Sequence, residues 1–211
     1  MIDHLIDKQD VVEIVRDQVA AILAQETISQ TEKAGGSSDW TFRVFKETSN
    51  IWENLPGTPV VNVFWQSSEF DLSKSDIVQR QHATALIYVD CYASGVSYDT
   101  ETGHVAGDQE AARQVQQTVR LVRNILMSAN YTYLDLRGFV NRRWIDSITL
   151  FQPEDDAQNA YHVLAGRIAL RVEFNEFSPQ VTPVEIEGID IEVEDTGQVI
   201  INASYNGELN V

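Results

Sequence analysis

The side chains that could do chemistry in this chain are few: four histidines, one cysteine and some short groups of charged residues. His4, His82, His104 and His162 show no short metal-ligand spacing. His82 and His162 could meet on neighbouring strands and, with Asp90 or Cys91, hold a zinc ion as a small metal-dependent hydrolase would. The pattern favours ordinary sheet histidines. Cys91 would need an exposed, activated thiolate to act as a nucleophile, yet it falls on the more apolar face of a strand and reads as a buried, inert thiol. Glu69, Asp71 and Lys74 suggest a metal-binding nuclease cluster only loosely, because they sit along one polar stretch rather than on paired strands. Gly103, His104 and Gly107 match no nucleotide fingerprint, and no Gly-rich phosphate cradle precedes a helix. Neither a catalytic constellation nor a cofactor is expected.

Charge offers more. The net charge is −17, and Val172–Val211 holds nine acids with no Lys or Arg. Tight binding to a phosphate backbone needs clustered cations to displace counterions, so it is not expected. Of the 15 basic residues 11 are Arg, the side chain suited to planar ion pairs at interfaces. Arg137, Arg142 and Arg143 form the densest basic cluster, beside Tyr131, Tyr133 and Phe139. Tyr and Arg are common interface anchors; contact with an acidic partner and plain solvated charge both remain open for this cluster. The acidic tail likewise either keeps the chain in solution or lies against a basic face.

The elements that must position these residues centre on His82–Ser128. His82–Ala93 alternates with period two, Ala83, Ala85, Ile87, Val89 and Cys91 sharing one face. Apolar side chains on both faces predict a central strand. Ser94–Ala106 reads as a polar loop. Gly107–Ser128 then reads as an amphipathic helix with the stripe Ala112, Val115, Val119, Val122, Leu126. Asp108 and Glu110 suit the positive end of its dipole. Its other face carries Arg113, Gln116, Arg120 and Arg123, a basic surface in an acidic chain.

Before this pair, Ile2–Gln25 predicts a first helix, Glu26–Asp39 a linker, Trp40–Glu47 a strand and Val60–Gln66 a second. Ser67–Gln81 reads as a long loop or a short crossing helix. After it, Trp144–Phe151 and Tyr161–Phe177 predict a hairpin about the acidic turn Pro153–Asn159. Pro179 and Pro183 break the pattern. Val184–Glu194 and Gln198–Ser204 form a last hairpin turning at Asp195-Thr196-Gly197. Two lone strands need support, from their own domain or a neighbouring copy. The expected fold is α+β: a mainly antiparallel sheet packed against two helices (1–178), with an acidic C-terminal β-hairpin extension (179–211). The chain has no apolar run long enough for a bilayer and no secretory signal, and its single cysteine suits a reducing compartment. Synthesis in a cytoplasm is expected.

In element order, size and texture, residues 1–178 resemble the tail-terminator (neck) proteins of long-tailed bacteriophages. The matching features are the helix Ile2–Gln25, the strands through Trp40–Gln66, the pair His82–Ser128 and the hairpin Trp144–Phe177 with its run Arg167-Ile168-Ala169-Leu170-Arg171-Val172-Glu173-Phe174. The resemblance implies a non-enzymatic virion protein. It would form a ring, commonly a hexamer, on the last ring of tail tube protein, stopping growth and meeting head-completion or connector proteins, with the sheath as a further partner. DNA would pass an acidic lumen without sticking. The hairpin after Pro183 exceeds the smallest members, and an arm clasping the next subunit or the sheath is its expected role. Arg113, Arg120 and Arg123 are expected on one side of the subunit contact, and Glu185, Glu187, Glu192 and Glu194 on the other. Another connector, head-closure or baseplate role is the alternative.

Overall fold

A computed structural model of the protein describes residues 9–48, 55, 57–76, 80–101, 103–153, 162–177, 186–193 and 199–205. The fold is α+β, and the chain divides into two compact units after Glu176. In the larger unit, five strands form one sheet in the spatial order Arg43–Lys46 (β1), Val60–Asp76 (β2), Arg80–Gly95 (β3), His162–Phe177 (β7) and Val140–Phe151 (β6). Two helices cover one face of it, and no described helix is long and apolar enough to cross a membrane.

Helix α1 spans Val11–Lys33 and begins where the Asp10 N–H donates to the Glu13 carboxylate at 3.0 Å. Val12, Val15, Val19, Ile22 and Leu23 form its buried stripe. The expected start at Ile2 lies outside the described residues, but Gln9 and Asp10 are not helical: Asp10 is the cap, in extended backbone, and the helix begins only at Val11. The expected end at Gln25 is too early: the helix continues through most of the presumed linker. Thr27 explains this, since its buried hydroxyl donates to the Trp40 carbonyl (3.0 Å) and accepts from the Phe42 N–H (3.1 Å). Threonines that favour turns in isolation here bind the helix to the chain entering β1. The helix stops only where Gly35 and Gly36 adopt φ of 71° and 85°.

Strand β1 (Arg43–Lys46) lies parallel to β2 (Val60–Asp76), so the sheet is mixed rather than purely antiparallel. The buried Asn62 side chain accepts from the Thr48 N–H (3.2 Å) and donates to the Thr48 carbonyl (3.0 Å), fixing the chain where it leaves β1. Strand β3 (Arg80–Gly95) pairs antiparallel with β2 from Val60↔Tyr92 out to Asp76↔Arg80. The reading of Ser67–Gln81 as loop or helix is therefore corrected for its described residues, which extend the two strands into a long ribbon. Phe70 and Leu72 on that ribbon are exposed. On β2 none of the residues from Ser67 to Lys74 is buried, so burial imposes no alternation there that a sequence could display.

Strands β4 (Tyr98–Thr100) and β5 (Gly103–Val105) make a small hairpin inside the expected loop before helix α2 (Gly107–Leu126). Gly95 and Gly107 bring the end of β3 against the start of α2: a Cβ on Gly95 would stand 2.0 Å from the Gly107 carbonyl oxygen. Strand β6 (Val140–Phe151) pairs antiparallel with β7 (His162–Phe177). The β3–β7 contacts His82–Glu173 and Asp90–Arg167 run in opposite senses, so these two strands are antiparallel as well.

The main core joins α1 and α2 to Val61, Val63, the five alternating residues Ala83 to Cys91, and Ile168, Leu170, Val172 and Phe174. The expected faces of β3, β7 and α2 are those that pack, with Ala112 only half-buried at the border. The smaller unit holds β8 (Ile186–Val193) paired antiparallel with β9 (Val199–Tyr205).

Candidate assembly surface

Helix α2 presents its cations outward. Arg113, Arg120 and Arg123 are all exposed. Arg113 is held along its own helix, donating to Glu110 from Nε (3.0 Å) and Nη2 (2.7 Å), which keeps the Glu110 carboxyl below its ordinary range. Arg120 and Arg123 make no ion pair among the described residues. Their charge is available to a partner.

The cluster of Arg137, Arg142 and Arg143 does not act as one patch. Strand alternation sends Arg142 and Arg143 to opposite faces of β6. Arg143 is half-buried and donates to the carbonyls of Tyr131 and Ser128, each at 2.7 Å, so it latches the turn that follows α2. Burial lowers its pKa. Arg142 donates to Glu173 at 2.6 Å and stacks 4.8 Å from the Trp144 ring centroid, while Arg137 is exposed in a turn. Tyr131 is likewise engaged, donating to Glu26 at 2.6 Å; Tyr133 and Phe139 stay exposed.

The helix-free face of the sheet carries the charged network that sequence reasoning missed. Asp90 is fully buried and accepts from Arg167 Nε (2.8 Å), Arg167 Nη2 (2.7 Å) and the Tyr92 hydroxyl (3.0 Å). Arg167 also lies against the rings of Tyr88, Phe64 and Phe151 at 4.2, 5.6 and 5.4 Å. The available signal was one opposite charge at an inward position in each of two apolar strands. Further along, His82 Nε2 stands 3.0 Å from Glu173 and Nδ1 3.3 Å from Asn175.

This arrangement separates the proposed zinc ligands. His162 begins β7 beside Gly107, whereas His82 meets the other end of that strand. The eleven steps of chain from position 162 to 173 span roughly 36 Å when extended. Cys91 faces the helices, fully buried, and burial pushes its thiol well above the ordinary value. Asp71 pairs with Lys74 (3.7 Å) and accepts from Ser73, and Glu69 lies 3.8 Å from Arg171. No group of three or more His, Cys, Asp or Glu among the described residues is placed to hold a metal ion.

Of the expected acidic partners, Glu187 and Glu192 stand on β8, while Glu185 and Glu194 lie outside the described residues. Compared with known families and with curated proteins, the chain matches no family model and no curated sequence.

Proposed function

We propose that this chain is a structural assembly protein, a subunit of a homo-oligomeric ring that caps a bacteriophage tail tube, ends its growth and joins the tail to the head. The observation that carries the reading is the division of labour among its side chains. Asp90, His82, Cys91 and Arg143 are turned to holding the fold, while Arg120 and Arg123 stand exposed with no ion pair among the described residues. Beyond Glu176 the chain carries seven acids and no Lys or Arg, which offers the opposite charge. A ring needs two different complementary patches on each subunit, and these two supply them.

The net charge of −17 also suits a lumen through which DNA slides without adhering. Negative-stain imaging of the protein mixed with purified tail tubes tests the assignment. Rings capping tube ends are the expected result. Association with DNA-filled heads instead would reassign the chain to head closure, and binding to neither would remove the tail role.

A further inference from the structure

Strand β6 is an edge of the five-stranded sheet, so one row of its backbone N–H and C=O groups faces away from β7. Soluble proteins normally blunt such an edge with charge, proline, a bulge or a covering element. The first half of β6 follows that rule, with Arg142, Arg143 and Asp146 and a register shift between Ile145 and Ser147. The second half, Ser147-Ile148-Thr149-Leu150-Phe151, has no charge, no proline and no bulge. Its side chains invite a neighbour: Ile148 is 41 % exposed and Leu150 53 % exposed. Both project on the helix side, where Leu150 borders a shallow groove with Ala112, Val115 and Gln116 of α2. Next to it α2 approaches β7 closely at Gly166, where a Cβ would come 2.5 Å from Val119 and 2.9 Å from Leu150.

The same chain carries a strand suited to that edge. In β8 the order Ile189-Asp190-Ile191-Glu192-Val193 alternates apolar and acidic residues, and no basic residue occurs in either β8 or β9. Added beside β6, its apolar positions would fall on the side of Ile148 and Leu150. Its acidic positions would fall on the other face, with Ser147 and Thr149. We propose that β8 of a second copy adds to the free half of β6, extending the sheet across the subunit boundary. This rests on the assembly reading above and adds a main-chain contact to it, separate from the arginine–acid contact of α2. Main-chain hydrogen bonds supply adhesion, and the alternating side chains fix which face is up. Each copy donates one strand and accepts another, which is the heterologous geometry a ring requires.

Two full-length variants test it. Ile148→Lys/Leu150→Lys blunts the accepting edge at exposed positions, and Ile191→Pro removes a backbone donor from the given strand. Mass is measured for the natural chain, each variant alone and their mixture. The expected result is an oligomeric natural chain, two monomeric variants and a 1:1 pair in the mixture, because one intact edge still meets one intact strand. Hydrogen exchange of those amides in 147–151 that face away from β7 should slow about tenfold or more between the dilute monomer and the oligomer. If the natural chain and the lysine variant both assemble, β6 is not the seat and this contact is wrong, although the assembly reading stands. Monomeric variants whose mixture fails to pair, or outward-facing amides already protected in the dilute monomer, also overturn it. A natural chain that stays monomeric overturns both.

Discussion

Arg167 on β7 grips both carboxylate oxygens of Asp90 on β3, at 2.8 and 2.7 Å, but the two side chains are unequally buried: 36 % of the arginine is exposed and 1 % of the aspartate. The pair is therefore asymmetric under mutation. Arg167→Met leaves a buried carboxylate with only the Tyr92 hydroxyl, and should cost about 3–5 kcal/mol. Asp90→Asn leaves a guanidinium that can turn to water, and should cost about 1–2 kcal/mol. Urea unfolding of the two variants checks the order. Equal losses would mean that the buried charge is compensated by something other than Arg167.

Gly95 and Gly107 set how closely β3 can approach the start of α2. A methyl at Gly95 meets backbone, the Gly107 carbonyl oxygen at 2.0 Å and the Ala111 nitrogen at 2.8 Å, so no side-chain rotation relieves it. Gly95→Ala should destabilise by about 1–3 kcal/mol or more, read as a fall in Tm. A glycine in open space such as Gly36, whose φ of 85° adds only backbone strain, is the comparison and should lose less on the same substitution.

The Tyr131 hydroxyl and the Glu26 carboxylate tie the turn after α2 to α1 at 2.6 Å. That bond lowers the Glu26 pKa and pushes Tyr131 up to about 12. For Glu26 the folded pKa is depressed, so its contribution is present above the ordinary carboxylate value and lost as pH falls through the folded one. For Tyr131 the folded pKa is raised, so its contribution is complete below about 10 and lost as pH climbs towards about 12. Tyr131→Phe should cost about 1 kcal/mol near neutral pH and flatten the pH dependence of stability at both ends. Parallel curves for the two proteins would contradict this.

Parts of this fold were legible because burial wrote them into the residue order. In β3 the five residues Ala83 to Cys91 are fully buried against two helices, so alternation there is strict. The stripe of α2 and the inner face of β7 were readable for the same reason. The outer part of β2 was not, because its residues from Ser67 to Lys74 are never buried and so carry no such pattern. Nor was the extension of α1, which depends on Thr27 bonding to a chain segment fifteen residues away at Phe42. The parallel placement of β1 depends on tertiary pairing that no local pattern encodes. At the candidate surface, the row on α2 could be read from helical spacing alone. The separate engagements of Arg142 and Arg143 could not, because they depend on which face of β6 meets Glu173 and which meets the Ser128 and Tyr131 carbonyls.

The mass of the purified full-length chain, measured over a range of concentration and salt, tests the central claim most directly. The account predicts closed multiples of 23.8 kDa that weaken as salt screens the arginine–acid contact, with Arg120→Glu shifting the balance towards smaller species in the same way. A single 23.8 kDa species at every concentration, or an oligomer indifferent to both salt and Arg120→Glu, would contradict it.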